Sequence, residues 1–427
     1  AGGRRLNSIQ KNYFVWTLNI PFNRQWFRMT SVSEEYIRDI VSEAASSLDV
    51  TDWRYTEESF EVIAQNYFGL LIPVSLHGKI NGSDENISLV LKLAPTDERY
   101  RISGAISLFF AREVFAYSTL LRKYGELQCD LNLSQRLTVP KCYFSREEYC
   151  KEALVLEDMR SLGYGPSKEE GVLDAKHVLV GLKALASFHA MSFVVKKLDP
   201  QLYEKATNVC VPLNEENNNR FMDILKNRLT RAVEKFVGTQ YEPLLQCLLS
   251  GCADWVSQAY RSAKKTAICH GDIWKENFLF QYEDDRPKSA CLIDFQTARM
   301  CSPAFDVLYF IVSSTHTVLR RRHYADWIDY YYETFIQVLR EAGLDPQIEY
   351  RRCDLDVDLE LVAPATLIVA NTALWLYCGM QQEGHVRSKR VCLTDEEKLE
   401  ATQDYKTAIM EIIEDYHANG YLIRVIR

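Results

Sequence analysis

The 427-residue sequence lacks an excess of basic side chains. It has 50 Lys and Arg residues against 58 Asp and Glu residues, which gives a formal net charge of -8. A protein that binds nucleic acid through the phosphate backbone needs clustered positive charge. This balance therefore argues against nucleic acid as a partner.

The sequence also lacks the cysteine pattern of a zinc site. None of its twelve cysteines forms a C-x-x-C pair or stands beside His at zinc-ligand spacing. Several lie in apolar runs where thiols simply pack, namely Cys269, Cys291 and Cys378. This usage predicts a reducing compartment, and we expect a cytoplasmic protein.

An uninterrupted membrane-spanning run is missing as well. The uncharged stretch 361–382 has the length of a span, but Pro364, Asn371 and Gly379 dilute its hydrophobicity and no basic cluster flanks it closely. We expect a buried helix here and no membrane span.

The length and composition predict a globular protein with at least two structural units. Hydrophobic residues make up 47% of the chain and charged residues 25%, which is ordinary for folded domains. The first 28 residues hold five basic and no acidic side chains, so residues 1–30 are interpreted as a basic leader or flexible arm. We predict an N-terminal nucleotide-binding lobe over 31–159 and a helical catalytic and acceptor-binding lobe over 160–427.

The order of elements predicts an α+β fold, with a small antiparallel sheet followed by a large, mainly helical part. A helix is expected after Ser31 or Ser33, strands over 58–93, and a helix over 107–125 that Gly125 ends. Two short strands within 139–147 and 152–159 come next, and helical patterns dominate afterwards. No internal repeat is visible.

The segment CHGDIWKENFLF, from Cys269 to Phe280, carries the first chemical signal. Asp272 precedes Asn277 by five positions, the separation found in the H-R-D-x-x-x-x-N loop of protein kinases. In that loop the Asp accepts the proton of the substrate hydroxyl and the Asn holds a magnesium ion. The spacing predicts Asp272 as catalytic base and Asn277 as a metal ligand.

A second carboxylate is expected, because Mg²⁺ prefers oxygen ligands and is usually held by one or two carboxylates plus phosphates. Asp294 ends the apolar run ACLID and begins the triplet Asp-Phe-Gln. Gln296 replaces the glycine of the kinase D-F-G triplet and removes its backbone freedom. We therefore predict Asp294 as a metal ligand in a fixed site.

The N-terminal part offers matching nucleotide contacts. Lys92 ends the strand LVLK, as the phosphate-binding lysine of V-A-I-K does, and Glu113 follows on a helix where it could orient Lys92. The segment from Glu157 to Met159 would be the hinge that meets adenine. A lone Lys or Glu usually lies on a solvated face, so only the ordered series makes these assignments specific.

Three further side chains have two interpretations each. His270 could hold the loop backbone or contact phosphate, and we favour the first. Lys275 could reach the γ-phosphate, although a loop lysine is more often exposed. Asp306 should brace the catalytic loop or cap its helix.

Together these segments resemble one family over nearly the whole chain from about Ser31. The order LVLK, FAREVFAY, LVLEDM, LASFHAMS, HGDIWKEN, LIDFQ and SPAFDVLYF is similar to the ecdysteroid-kinase-like group, also described by its CHK kinase-like domain. This group is related to choline kinases and aminoglycoside phosphotransferases within the protein-kinase-like fold.

The resemblance implies an ATP- and Mg²⁺-dependent small-molecule kinase that acts on an alcohol such as an ecdysteroid. A monomer is the default expectation, independent of the resemblance. The helical insert 198–265 and the final helices are expected to line the acceptor pocket, and aromatic segments of the helical part suggest an apolar acceptor. The phosphate-covering segment AQNYFGLL departs from the pattern, because its only glycine is Gly69. A choline- or aminoglycoside-type kinase and a pseudokinase that serves as a binding or scaffold protein remain the alternatives.

Overall fold

The computed structural model describes residues 33–60, 69–98, 101–102, 105–169, 171–216, 218–261, 263–380, 392 and 394–426. These residues form two compact units. The first comprises the described residues up to Phe110 with Tyr143–Leu156 and Trp375–Tyr405, and the second comprises Ala111–Cys142, Glu157–Leu374 and the described residues from Lys406. The units interleave along the chain, whereas the sequence predicts two consecutive segments. The predicted leader, residues 1–30, lies outside the described residues.

The first unit is built on a five-stranded sheet. Its strands are β1 Thr51–Glu57, β2 Leu70–Ile80, β3 Ser83–Leu93, β4 Cys142–Arg146 and β5 Ala153–Glu157, in the order β1-β2-β3-β5-β4. Strands β2 and β3 form an antiparallel hairpin whose turn residues, Asn81 and Gly82, both have positive φ. Asn-Gly is the sequence that tolerates this turn, so the hairpin prediction is confirmed. Strand β1 was not predicted.

A helix packs on this sheet. The helix α1, Glu34–Ser47, begins where the Ser33 side chain accepts a hydrogen bond from the Tyr36 amide, 3.2 Å away. Ile40 and Val41 are fully buried against sheet residues such as Leu76. Burying a side chain of this size stabilises the fold by about 1.5–3 kcal/mol, so the buried face of this helix belongs to the core. The predicted cap is confirmed as Ser33, at the exposed start of the helix.

The next helical run differs from its prediction. It consists of α2 Ile106–Phe115, a π-helical turn Ala116–Leu120 and α3 Leu121–Asp130. Gly125 does not end the helix, because Leu121, Tyr124 and Leu127 around it are buried. Their packing outweighs the roughly 1 kcal/mol that an interior glycine costs.

The second unit is mainly helical, which confirms the predicted α+β class. Its helices are α4 Ala175–Leu198, α5 Pro200–Val209, α6 Asn219–Lys235, α7 Glu242–Ser250, α8 Cys252–Arg261, α9 Pro303–Ser314, α10 Thr317–Glu341, α11 Pro346–Glu349, α12 Arg352–Tyr377, α13 Asp395–Ala418 and α14 Ile423–Ile426, of which α12 and α13 extend into the first unit. The short strands are β6 Tyr164–Gly165, β7 Ala267–Cys269, β8 Phe278–Glu283, β9 Arg286–Leu292 and β10 Arg299–Cys301. β7 pairs with β10, and β8 pairs with both β6 and β9.

Two helical stretches are long and apolar enough to cross a membrane, Ala175–Leu198 and Pro346–Tyr377. In each, 83% of the most apolar window is buried inside the protein, as in the core helix of a soluble protein. The second stretch includes residues 361–377 of the uncharged segment, which are helical and mostly buried as predicted. All twelve cysteines are free thiols.

Candidate active site

The loop that carries Asp272 and Asn277 begins directly after strand β7 in the second unit. His270 is fully buried and its Nε2 lies 2.9 Å from the Ile293 carbonyl oxygen. The imidazole therefore ties the loop to the residue before Asp294. This contact confirms the structural interpretation of His270.

Asp306 braces the same loop from helix α9. Its carboxylate is fully buried and accepts hydrogen bonds from the His270 amide at 2.6 Å and the Gly271 amide at 3.0 Å. His189 Nε2 lies 3.2 Å from the same carboxylate, and its Nδ1 lies 2.8 Å from the Tyr331 hydroxyl. The helix itself is capped by Ser302, so bracing is the observed role of Asp306.

Burial alone would raise the pKa of Asp306. The hydrogen bond from His189 and nearby positive groups, including Arg299, oppose burial and hold the pKa below its usual value. The carboxylate is therefore ionised and keeps both loop amides bonded.

Gly271 has the backbone geometry that this loop requires. Its φ is +83°, and a Cβ added there would lie 2.6 Å from the Thr297 carbonyl oxygen and closer still to the Arg299 guanidinium. Both neighbours are held in the protein interior. Only glycine fits this position without displacing them.

Gly271→Ala should therefore lower the free energy of unfolding by more than Gly343→Ala. Gly343 also has a positive φ, +74°, but a Cβ there meets no atom within 4 Å. Gly343→Ala, the control, should lower the free energy of unfolding by about 1–2 kcal/mol because of its backbone conformation. Gly271→Ala should lower it by about 1–3 kcal/mol more because the added methyl group overpacks the interior. Urea unfolding of both variants measures the difference, and equal losses would contradict the steric argument.

Asp272 accepts hydrogen bonds from two neighbouring side chains. Asn277 Nδ2 donates to the Asp272 carbonyl oxygen at 2.6 Å and reaches its Oδ2 at 3.3 Å. The Tyr309 hydroxyl donates to Asp272 Oδ1 at 3.2 Å. The structure thus brings the predicted base and one predicted metal ligand together, with Tyr309 as a neighbour that sequence reasoning missed.

Tyr309→Phe should weaken the hold on Asp272 without removing the carboxylate. Because the Tyr309 hydroxyl donates to the Asp272 carboxylate, its loss should leave that carboxylate less well oriented and lower kcat. We expect a kcat loss of about tenfold or more, since a hydrogen bond to a charged group contributes about 1.5–3 kcal/mol. A kcat equal to that of the unchanged enzyme would contradict this role, and Tyr330→Phe, at a position that is 37% exposed, is the control.

Asp294 follows strand β9 and is buried, with 7% of its surface exposed. Its φ is +69°, and its amide donates to the Tyr117 hydroxyl at 3.2 Å. Tyr117 lies in the π-helical turn, a feature that often occurs at functional sites. Gln296 Nε2 donates to Asp294 Oδ2 at 3.3 Å, so the residue that replaces the kinase glycine holds the carboxylate.

Asn277 and Asp294 are neighbours through the backbone. The Ile293 amide donates to the Asn277 carbonyl oxygen at 3.1 Å, next to the pairing of Phe278 with Leu292. The hairpin β8–β9 therefore begins at one predicted metal ligand and returns to the other. This proximity could be inferred from the sequence only through the kinase spacing.

The remaining predicted contacts are divided between the units. Gly69 and Lys92 belong to the first unit, where Lys92 is 2% exposed in strand β3. Glu113, Glu157 and Met159 belong to the second, where Glu113 is 1% exposed on helix α2. Neither Lys92 nor Glu113 lies on a solvated face, which removes the commonest structural explanation for such residues.

Three of these positions have local structural partners. A Cβ at Gly69 would lie 3.0 Å from the Leu93 carbonyl oxygen, so close backbone packing also requires this glycine. The Glu157 amide donates to the Lys141 carbonyl oxygen at 2.8 Å, and Met159 begins a buried 3₁₀ turn. The rest of the glycine-poor segment, 64–68, lies outside the described residues.

Lys275 is not exposed, contrary to the more common fate of a loop lysine. It is 5% exposed, and its ammonium donates to the Gly171 carbonyl oxygen. Its amide donates to the Ser314 hydroxyl at 3.1 Å, and its ammonium also lies 3.6 Å from Glu276. Lys275 therefore fixes the far side of the loop.

Comparison with protein families decides the assignment. The model of the ecdysteroid kinase-like family matches residues 64–344. This chain belongs to that family. The family resemblance and the protein-kinase-like fold predicted from the sequence are both confirmed. Membership of this family supports a small-molecule kinase that transfers a phosphoryl group.

Solved structures show more distant likenesses. Wild-type aminoglycoside 2'-phosphotransferase-IIIa in its GDP complex is 13% identical, with a TM-score of 0.36 over 87% of this chain and 98% of that one. A protein named as a fructosamine-3-kinase from Haemophilus somnus 129PT is 13% identical, with a TM-score of 0.38 over 89% and 100% of the two chains. A glucosamine kinase is 13% identical, with a TM-score of 0.33 over 87% and 83%. No curated protein sequence matches this chain significantly.

Proposed function

We propose that this protein transfers the γ-phosphoryl group of Mg-ATP to the hydroxyl group of a small-molecule alcohol. The observation that supports it most is the joined set of Asp272, Asn277 and Asp294 in a member of the ecdysteroid kinase-like family. One carboxylate lies on the braced loop, and one amide and a second carboxylate lie at the two ends of the hairpin that follows. These are the groups that kinase chemistry requires.

The donor atoms fit magnesium. Asp294 offers carboxylate oxygens, and Asn277 offers its side-chain oxygen because its amide nitrogen bonds to Asp272. Mg²⁺ prefers such oxygen ligands together with substrate phosphates. In this proposal Asn277 and Asp294 hold the ion, which would neutralise the charge on the transferred phosphoryl group.

Asp272 acts on the acceptor. Its carboxylate orients the alcohol and takes the hydroxyl proton while the acceptor oxygen forms the new bond to the γ-phosphorus. The bond from that phosphorus to the β-phosphate oxygen breaks, and ADP leaves. Tyr309 and Asn277 hold the Asp272 carboxylate in one orientation during the reaction.

The nucleotide contacts are a further part of the proposal. Lys92 and Glu113 would serve the phosphates, Gly69 would lie in the covering segment, and backbone groups from Glu157 to Met159 would meet adenine. The Glu157 amide already bonds to Lys141, so adenine would contact other backbone groups of this segment. The burial of Lys92 and Glu113 supports specific roles for both.

The acceptor that we propose is an ecdysteroid or another bulky apolar alcohol. The description of the family supports it. The aromatic segments give less support than expected, because Phe193, Tyr331 and Phe335 are buried and pack on one another in the core. Choline and aminoglycosides are the alternative acceptors with which the ecdysteroids should be compared. A choline site would need an aromatic cage with acidic groups, and an aminoglycoside site would need several acidic groups.

Phosphate transfer from Mg-ATP tests the proposal. Ecdysteroids, choline and kanamycin-type sugars should be assayed side by side, and the ecdysteroids should show the highest kcat/KM. If choline or an aminoglycoside is the best substrate, the proposed acceptor class is wrong but the kinase activity stands.

The alternative is a pseudokinase, which the glycine-poor segment 64–71 motivates. This alternative is favoured if no acceptor is phosphorylated and Mg-ATP does not raise the thermal stability of the protein. A ligand at 100 times its Kd should stabilise the protein by about 2.7 kcal/mol.

Asp294→Ala should change the magnesium dependence of the reaction. Removing a metal ligand should raise the magnesium concentration for half-maximal activity by about tenfold or more and also lower kcat. Activity titrated with magnesium at saturating ATP measures this shift. Asp254→Ala, at an exposed position of helix α8, is the control, and an unchanged magnesium curve for Asp294→Ala would contradict the assignment.

A further inference from the structure

Two arginine side chains lie fully buried inside the second unit. Arg112 belongs to helix α2 and Arg299 to strand β10. The Nη1 of Arg112 donates to the Ala298 carbonyl oxygen at 3.3 Å, and the Nη1 of Arg299 donates to that of Thr297 at 3.4 Å. Because these carbonyls belong to consecutive residues, both guanidinium groups meet the same short segment.

Most of their remaining donors lack an acceptor among the described residues. Within the described part of the chain, Nε and Nη2 of both arginines are buried and have no hydrogen-bond partner. The Tyr260 hydroxyl is also buried and has no partner there. Leaving a buried donor unsatisfied costs about 1–3 kcal/mol, and more for a charged group. Such groups are rare in native structures and indicate a bound water or ion.

Among the described residues, Asp306 is the carboxylate whose charge acts most strongly on Arg299. Its oxygens already accept bonds from the loop amides. Burial raises the pKa of Tyr260 to about 12 and that of Cys210 to about 12, so both stay neutral. Burial and the charge of Arg299 lower the pKa of Arg112 to about 10, which still leaves it positive at neutral pH.

Aromatic rings hold one of the two cations. The Arg299 guanidinium carbon lies 4.9 Å from the ring centre of Phe305, 5.7 Å from that of Tyr260 and 6.0 Å from that of Phe221. Contacts with ring faces stabilise the charge but accept no hydrogen bond in the plane of the guanidinium. The in-plane donors therefore still need an acceptor.

We propose that Arg112, Arg299 and Tyr260 bind one small monovalent inorganic anion, of the chloride class, inside the second unit. Two buried cations against one carboxylate leave a single positive charge, which a monovalent ion neutralises. A spherical halide accepts several N–H and O–H bonds at once and needs little space. A doubly charged oxyanion would overcompensate the charge.

The site adjoins the catalytic loop. The Arg299 guanidinium lies where a Cβ on Gly271 would be, directly before Asp272. A bound anion would hold Arg299 in this place and connect it to helix α2, which also bears Glu113. Chloride should therefore raise both the thermal stability and the rate of phosphoryl transfer.

Thermal unfolding of the full chain tests the site without relying on turnover. Sodium chloride replaces sodium gluconate at constant ionic strength, and Tm should rise along a saturating curve. In Arg112→Gln and Tyr260→Phe the half-saturating chloride concentration should increase about tenfold, the effect of losing one charge-assisted bond. Arg101→Gln is the control, because Arg101 is equally buried but paired with Glu152; it should keep the chloride response of the unchanged protein.

Crystals of the unchanged protein grown in sodium bromide give a second test that does not depend on variants folding. An anomalous bromide peak within hydrogen-bonding distance of both Arg112 and Arg299 would confirm the site. The proposal is overturned if that peak is missing or if ordered water alone fills the position. A chloride response equal in Arg112→Gln and the unchanged protein, or stabilisation by phosphate but not by chloride, would also overturn it.

Discussion

Asp272→Asn should lower kcat for phosphoryl transfer by about 10²–10⁴-fold, the usual contribution of a positioned general base. The fold should persist, because Asn keeps an oxygen for the Tyr309 hydroxyl, and the shortest bond from Asn277 goes to the backbone carbonyl of residue 272. The Kd of Mg-ATP should stay close to that of the unchanged protein. Steady-state kinetics with the best acceptor and calorimetric titration of the nucleotide measure both quantities.

Asp84→Asn is a matched control for this variant. Asp84 is an exposed carboxylate of the β2–β3 hairpin, so its loss removes one charge far from any proposed role. It should leave kcat unchanged. Near-native turnover by Asp272→Asn would show that another group accepts the proton, and a parallel loss of nucleotide affinity would assign Asp272 to binding.

Asp306→Asn should lower the free energy of unfolding by about 3–5 kcal/mol, because it removes a buried charge whose partners then lack their acceptor. An amide can accept from only one of the His270 and Gly271 amides and presents N–H groups to the other. The same change should lower kcat, since these bonds position the residue before Asp272. Asp285→Asn removes an exposed carboxylate and should leave both quantities nearly unchanged.

The effect of Asp306 should depend on pH in a defined direction. Its pKa in the folded protein is below the usual value, so its stabilisation is complete above the unfolded value of ~3.9 and is lost as pH falls through the folded value. The difference in unfolding free energy between the unchanged protein and Asp306→Asn should therefore be constant above pH ~4 and shrink below it. A difference that grows as the solution becomes more acidic would contradict this sign.

The centre of the site could be predicted because its chemistry fixes short distances along the chain. Asn277 follows Asp272 by five positions, and one hairpin returns the chain to Asp294, so sequence spacing and spatial proximity coincide there. The capped helix after Ser33 and the Asn81-Gly82 turn were predictable for the same reason, since a local side chain or a positive φ decides each of them.

Residues whose position depends on distant contacts could not be predicted. Lys275 is buried because Gly171, more than a hundred positions away, accepts its hydrogen bond. Gly125 stays helical because of packing around it. Tyr117 and Tyr309 reach the site from separate helices, and nothing in their neighbouring residues distinguishes them from ordinary core tyrosines. Strand β1 was missed because its alternation consists of only two aromatic residues, Trp53 and Tyr55, which are half-buried, while its other side chains are exposed.

The brace formed by Asp306 has a thermodynamic consequence for ligand binding. His270, Gly271 and Lys275 are fixed by partners that all lie within the second unit. The conformational entropy of ordering this loop is therefore lost when the unit folds and does not have to be lost again when substrates arrive. Their binding should show a small entropic penalty from this loop, and the amides of His270 and Gly271 should exchange hydrogen only when the surrounding core opens.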